Sequence, residues 1–376
     1  MSTVPESAGS DRPNLRSLLA AAGAWWRRRD TTLIGLAMTL VLLLVLPQAL
    51  GVSVFGYSLG WLLSVHLLVV TLIYALAAQG WNLAAGLTGQ FSFGHAAFFG
   101  LGAYAPLVLA REYAISPWIG MLVGGLLAGG YAVCIGVLSY RYNVEGSYFA
   151  LITLAFSELL LYVFINVEWL GGASGFVKPL PGVYDAEFGL AAFQFRETLP
   201  YYYAVLAVLV VTTLVVVGIK RSRVGLYLAA IRDDEDGAAA VGIPTTRYKL
   251  FSLAVSAFVT ALAGSCWAMY FISIRPRVVF DIFANLNILL PAVVGGLGTG
   301  LGPILGSFVL TVVGETARQF VDLPELQRIV YGLLLLVVVL RAPGGVVSLP
   351  KRIVDRFAEL RDRSRSDTDD VSNDRL

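Results

Sequence analysis

Apolar stretches about as long as a membrane-spanning helix, roughly 20 residues, recur along this chain from Leu33 to Leu340. Hydrophobic residues make up 57% of the sequence and charged residues only 14%, whereas soluble domains contain roughly 45–50% and 25%. So few charged residues could not cover the surface of a water-soluble fold of this size. We therefore predict an all-α polytopic membrane protein.

The pattern predicts about ten transmembrane helices, with both termini in the cytoplasm. The predicted spans are residues 33–50, 61–78, 95–110, 118–138, 147–166, 201–219, 250–270, 282–297, 301–320 and 329–340. Basic residues collect on one side of this topology, as they do on the cytoplasmic side of membrane proteins. A nine-span alternative, with one helix over 282–320, would place Arg341 and Lys351 outside, so ten spans fit the charges better.

These spans divide the chain into three parts. Residues 1–30 are predicted to be a cytoplasmic segment, because the basic residues at 27–29 directly precede the first span. Residues 1–24 lack the apolar core of a cleavable signal peptide. Residues 31–348 form the transmembrane domain, with an outer loop at 168–198 and a cytoplasmic loop at 220–249. The tail at 349–376 is rich in charges of both signs and is predicted to be disordered.

Polar side chains inside the spans are candidates for a translocation pathway, because burying them in lipid is costly. Thr153 and Ser157 lie four residues apart and share a helix face, and Glu158 is adjacent to that face. Two structural alternatives stay open, because hydroxyl groups also bond to their own helix and a lone histidine is more often a structural residue. The pathway candidates are Gln90, Ser92, His95, Ser147, Thr153, Ser157 and Glu158.

Several function classes are disfavoured by what the sequence lacks. It contains no GxxxxGK[ST], HExxH or GxSxG motif, so we predict no catalytic site and no bound cofactor. Cys134 and Cys266 lie inside apolar stretches without a CxxC pattern, and we expect both to be small buried residues rather than disulfide or metal ligands. With only His66 and His95, a histidine-rich metal site is excluded. A net charge of +2 gives no indication of nucleic-acid binding.

The segment at 220–249 is the longest charged stretch between two strongly apolar regions, with six basic and four acidic residues. A connection between helices needs only about 2–8 residues, so this segment is long enough for a short helix flanked by two turns. We predict that it docks against a partner protein. Because the chain has no phosphate-binding loop of its own, any ATP-driven transport must draw on a partner.

Sequence motifs spread over about residues 70–347 resemble those of the branched-chain amino acid permease family. AAIRDDEDGAAAVGI at 229–243 is similar to the family's cytoplasmic coupling loop, and NLAAGLTGQFSFGHAAFFGLGAY at 82–104 is similar to its first signature. Further matches are GSYFALITL at 146–154, GGASG at 171–175, GGLGTGLGP at 295–303 and RAPGG at 341–345. The outer loop and the order of elements look like the M-type permease subunit.

The resemblance implies a type II ABC importer-like permease bundle in the inner (plasma) membrane, carrying leucine, isoleucine and valine. Its implied partners are two ABC ATPase subunits that bind the ATP, a second, H-type permease, an extracytoplasmic substrate-binding protein and membrane lipid. The residues implied for ATPase coupling are Ala230, Arg232, Asp233, Asp234, Glu235, Ala238, Ala239, Gly242 and Ile243. Those implied for the outer loop are Gly171, Gly172, Ser174 and Gly175.

Two observations leave alternatives open. The family's outer loop usually has Thr and Asn where this chain has Leu170 and Ser174, which leaves urea or a short amide as an alternative substrate. Glu158 and Glu315 are carboxylates inside predicted spans, which an ion-coupled secondary carrier would need. An ATPase and a second permease that co-purify with the chain would argue against such a carrier.

Overall fold

The computed structural model describes residues 64–142, 144–178 and 189–320. It also describes shorter stretches at 35, 37–48, 53–54, 57–58, 329, 332–333, 336–337, 340 and 344–348. The predicted N-terminal segment at 1–30, the tail at 349–376 and most of the last predicted span lie outside the described residues. The chain divides into two compact units, Met1–Ala49 and Leu50–Leu376.

The described part of the chain is almost entirely helical. Two short antiparallel strand pairs occur, β1 (Ser53–Val54) with β2 (Tyr57–Ser58) and β3 (Phe176–Val177) with β4 (Ser273–Ile274). The helices are α1 (Ala37–Gln48), α2 (Val65–Thr88), α3 (His95–Tyr113), α4 (Pro117–Arg141), α5 (Gly146–Asn166), α6 (Thr198–Arg221), α7 (Arg223–Asp233), α8 (Glu235–Ala240), α9 (Thr245–Tyr270), α10 (Pro276–Val279), α11 (Ile282–Gly295) and α12 (Gly302–Phe320).

Helix α9 lies at the centre of the bundle, packed against α2, α3 and α4. Glycines let the backbones approach closely: a Cβ atom on Gly102 would lie 2.0 Å from the Ala261 carbonyl oxygen, and one on Gly264 would lie 1.9 Å from that of Phe99. Lipid tails are as apolar as leucine, so membrane helices associate through such close packing more than through hydrophobic burial. Small residues on α3 and α9 therefore hold these two helices side by side.

The observed helices confirm an all-α membrane fold. Within the described residues, six helical segments are long and apolar enough to cross a membrane, namely 65–88, 117–141, 146–166, 198–221, 245–270 and 276–295, the last joining α10 to α11. Helices α1 and α12 are apolar over shorter lengths, and α3 covers the predicted third span. The count of ten stays a prediction, because residues 329–340 lie mostly outside the described part.

Two expectations from the sequence are wrong. The second span does not end at Ala78, because α2 continues to Thr88 and stops where Gly89 adopts a left-handed φ of +72°. Gly80 stays inside the helix because it packs against α9, where a Cβ atom would lie 2.3 Å from the Thr260 hydroxyl oxygen. Cys134 is not buried, since it lies on an exposed face of α4, whereas Cys266 is buried as expected.

Candidate functional site

The charged segment at 220–249 folds into two helices, α7 and α8, where the sequence predicted one short helix. Ser222 caps α7 by accepting a hydrogen bond from the Gly225 N–H at 3.4 Å. Asp234 caps α8 in the same way, accepting from the Gly237 N–H at 3.0 Å, and its extended backbone separates the two helices. Each helix therefore begins at a side-chain cap of the kind that stabilises helix N-termini.

The C-terminal end of α8 forms an exposed tip of small and apolar residues. Ala239, Val241 and Gly242 are exposed, Val241 by 78%, while Ala238 is buried on the inner side. Gly242 has a φ of +87°, and the following Ile243 donates its N–H to the Ala238 carbonyl oxygen at 3.1 Å. This glycine-terminated end leaves a small apolar surface that a partner protein can approach closely.

Arg232, near the end of α7, joins this segment to the end of α2. Its Nη1 donates a hydrogen bond to the Gly86 carbonyl oxygen at 3.0 Å, and its Nη2 lies 3.2 Å from the Asp233 carboxylate. From the end of α6, Lys220 donates to the carbonyl oxygen of Gly298, in the turn between α11 and α12. The segment is therefore attached to the ends of three membrane helices.

The glycine-rich turn between α11 and α12 is itself held by polar side chains of α2. Asn82 accepts a hydrogen bond from the Gly298 N–H at 2.7 Å and donates to the Thr299 carbonyl oxygen at 2.9 Å. Gln79 donates to the Gly300 carbonyl oxygen at 3.0 Å. Because the turn connects two helices and its main chain is occupied by these contacts, it serves packing and is not a nucleotide-binding loop.

Lys249, at the start of α9, is a second attachment point for the segment. The residue is only 6% exposed, yet its ammonium lies 2.8 Å from both carboxylate oxygens of Glu235 on α8. Glu145, just before α5, is 3.6 Å away, and the Tyr140 ring of α4 lies beneath the ammonium at 4.7 Å. One buried cation thus contacts residues from three other parts of the chain.

Four of the predicted pathway residues cluster at the turn between α2 and α3. His95 contacts Ser256 through Nε2 at 2.7 Å, and because the Ser256 hydroxyl donates to the Gly80 carbonyl oxygen, Nε2 must be the donor. Thr153 accepts from the Phe93 N–H at 3.0 Å and donates to the Ala150 carbonyl oxygen. Gln90 and Ser92, in the same turn, are also buried.

The remaining pathway candidates lie along α5. Ser157 is buried and donates to the Phe280 carbonyl oxygen at 3.3 Å. Glu158 is half-buried and interacts electrostatically with Asp281 and Arg277 near α10, whereas Ser147 is exposed at the start of the helix. The contacts of His95, Thr153 and Ser157 support a packing role, and the pathway role of all seven stays a prediction.

The GGASG motif of the outer loop forms a tight turn. Gly171 and Gly175 adopt φ of +90° and +86°, and a Cβ atom on either would lie within 2.1 Å of a main-chain oxygen. Gly172 is buried, whereas Ser174 is exposed. Leu170 is also buried, so the departure from the family pattern at that position lies in the protein interior.

Lys178 joins the outer loop to the end of α9. Its Nζ donates to the Met269 carbonyl oxygen at 2.8 Å and lies 3.5 Å from the Tyr201 hydroxyl. The side chain is only 4% exposed, and this burial lowers the pKa of Lys178 from 10.5 to about 8. A lysine at the C-terminal end of a helix satisfies carbonyl groups that have no partner within the helix.

Across the described residues, no group of three or more histidine, cysteine, aspartate or glutamate side chains could hold a metal ion. The candidate site therefore consists of polar contacts between helices and of one charged two-helix segment. Sequence reasoning missed Lys220, Lys249 and Asn82 as members of it. A signal was available for Asn82, since it is a polar residue within an apolar helix.

The bundle of membrane helices and the attached charged segment define the class of this protein, a multi-pass membrane permease. Residues 63–339 match the family described as the permease component of the branched-chain amino acid transport system. The chain belongs to that family.

Individual relatives agree with this assignment. The chain is 28% identical over 306 residues to the high-affinity branched-chain amino acid transport system permease protein LivM of Escherichia coli K12, covering 77% of this chain and 71% of LivM. LivH of the same strain is 25% identical over 295 residues, covering 74% of this chain and 92% of LivH. BraD of Pseudomonas aeruginosa is 25% identical over 297 residues, covering 76% and 94%.

Proposed function

We propose that this chain is a membrane-spanning permease subunit of an ATP-binding-cassette importer. Two partner ATPases bind and hydrolyse the ATP, because the chain itself carries no phosphate-binding motif. The observation that carries the proposal is the arrangement of α7 and α8, whose tip is exposed while Arg232 and Glu235 bond to the membrane helices. A segment attached to the bundle at its base and exposed at its tip suits the transmission of movement from a partner.

The translocation pathway forms between this chain and a second, related permease, and α5 contributes to it. Glu158 is half-buried within a helix long and apolar enough to cross the membrane. A carboxylate facing lipid at this depth would be costly, so such groups face a water-filled cavity or another protein chain. The Glu158 face of α5 is therefore turned toward the partner permease.

The substrate is a branched-chain amino acid. LivM, LivH and BraD are named for transport of these amino acids, which supports the same substrate here. None of these three names refers to urea or an amide, so the comparisons do not favour the alternative substrates.

On the outer side, a substrate-binding protein delivers the amino acid. The turn at 171–175 presents Ser174 to solvent, and the pairing of β3 with β4 fixes that turn to the end of α9. A loop held in one conformation suits docking of a separate protein, because little ordering is needed on binding.

Purification and reconstitution test this function together. The tagged chain is purified from its native membrane, and an ATPase and a second permease should come with it. In proteoliposomes with the binding protein, leucine uptake should require ATP and should be reduced by excess isoleucine or valine but not by urea. Uptake that runs without ATP on an ion gradient would contradict the proposal.

A further inference from the structure

The contacts of Lys249 connect α8 with the start of α5. Its ammonium is bonded at 2.8 Å to both oxygens of Glu235 and lies 3.6 Å from Glu145 Oε1. The two acids belong to different elements, since Glu235 begins α8 and Glu145 directly precedes α5. A single buried cation therefore connects the proposed docking helix to the helix that carries the predicted pathway residues.

The surroundings of Lys249 make these contacts energetically important. The side chain is 7% exposed, against 33% for Glu235 and 63% for Glu145, and one face of the ammonium is covered by the Tyr140 ring. A buried charge that loses its partner is strongly destabilising. The ammonium must therefore keep an acidic partner whenever α8 moves.

We propose that Lys249 is the positioning residue that passes movement of α8 to α5. Its three N–H donors sit on a flexible four-carbon stem, so the ammonium can follow either carboxylate. When a partner displaces α8, the distance between the Lys249 ammonium and Glu235 changes. The hydrogen bonding of the ammonium is then shared differently between Glu235 and Glu145. The start of α5 moves in response, and Thr153, Ser157 and Glu158 move with it. This inference rests on the proposed function.

Neutralising each acid tests the connection in the full reconstituted importer. Glu235→Gln and Glu145→Gln keep the size of the side chain and remove its charge. Glu112→Gln, which removes an exposed acid paired with Arg111 at the end of α3, is the matched control. ATP hydrolysis and leucine uptake are measured in the same vesicles. Glu235→Gln should lower the leucine carried per ATP hydrolysed about tenfold, Glu145→Gln, at the more exposed and more distant acid, about two- to fivefold, and the control should leave it unchanged.

Double variants with Lys249→Met separate a transmitting role from a merely structural one. If both acids act through Lys249, then adding Glu235→Gln or Glu145→Gln to Lys249→Met should lower leucine per ATP no further than Lys249→Met alone, because contacts in one network are not additive. Two independent structural losses would multiply. The thermal midpoint of each variant shows whether loss of folding accounts for the result.

Three outcomes overturn the inference. They are normal leucine per ATP in both single variants, a multiplicative loss in either double variant, and a loss matched by the control. Lys249→Met is the more drastic change, and where it fails to fold the two glutamine variants decide. Failure of the proposed function looks different, because the unaltered importer would then show no ATP-dependent uptake at all.

Discussion

The guanidinium of Arg232 donates a hydrogen bond to the main-chain carbonyl oxygen of Gly86, 3.0 Å away and 146 positions earlier in the chain. Gly86 lies in the last turn of α2, where carbonyl groups lack partners within the helix. The contact ties the charged segment to α2, and α2 holds the glycine-rich turn through Asn82. Movement of α7 is therefore passed to the end of α2 and, through the glycine-rich turn, to the adjoining ends of α11 and α12.

Replacement of Arg232 tests this contact. Arg232→Gln should lower leucine uptake about tenfold, the loss of a hydrogen bond from a charged donor. Arg232→Lys should recover only part of that loss, because an ammonium lacks the planar fork that serves Gly86 and Asp233 together. Uptake by reconstituted vesicles is the measurement, and Arg223→Gln, exposed on the same helix, is the control. Equal uptake by Arg232→Gln and the control would show that this hydrogen bond does not contribute to transport.

Close packing of α3 on α9 predicts a sharp difference between two glycines. Gly264→Ala would place a Cβ atom 1.9 Å from the Phe99 carbonyl oxygen, whereas one on Gly130 would meet nothing within 4 Å. We expect Gly264→Ala to destabilise the protein by at least about 1–3 kcal/mol, the usual cost of overpacking, and Gly130→Ala to be neutral or stabilising. Thermal midpoints in detergent compare the two, and similar midpoints would contradict the packing.

The buried ammonium of Lys178 predicts a dependence of stability on pH. Its pKa is lowered to about 8 by burial, so between about pH 8 and 10.5 the unfolded chain holds a proton that the native state has lost. Stability relative to Lys178→Met should therefore rise with pH across this window, by at most about 1.4 kcal/mol per unit. Thermal midpoints of both proteins at pH 7.5, 8.5 and 9.5 measure the difference. A constant difference would contradict this assignment.

The charge of Glu158 should affect leucine transport but not the assembly of the complex. Glu158→Gln should slow leucine uptake about two- to fivefold, the scale of a half-exposed ionic contact, while the purified complex keeps its composition. Glu112→Gln, at the exposed end of α3, is the control. Initial uptake rates at saturating ATP are the measurement, and a rate for Glu158→Gln equal to the control would remove Glu158 from the pathway.

The fold class was predictable because lipid imposes a strong rule, in which each spanning helix must be long, apolar and internally hydrogen-bonded. The end of α2 was not predictable. In the sequence, Gly80 and Gly86 look like residues that would end a helix, yet α2 continues through both. Glycine is needed at these positions because α9 and the turn at 296–302 occupy the space where side chains would be. Such contacts between distant segments leave no local signal.

The candidate site, too, was only partly predictable from the sequence. The resemblance to permeases predicts a coupling role for the segment around Arg232 and Glu235, but it does not reveal what these side chains contact. Gly86 and Lys249 become their partners only when α2 and α9 pack side by side. The lysine at position 249 looks in sequence like one more basic residue at a membrane edge, and only its burial sets it apart.

We propose that the exposed tip of α8 couples a partner ATPase to transport. Ala239→Arg places a long charged side chain on the tip, and Ala239→Ser is the matched small control. The decisive measurement is leucine uptake and ATP hydrolysis in the same proteoliposomes. We predict that Ala239→Arg inserts into the membrane normally and loses ATP-dependent uptake, as should Gly242→Trp, while the serine variant transports normally. Assembly and transport at the unaltered rate in Ala239→Arg and Gly242→Trp would contradict the account.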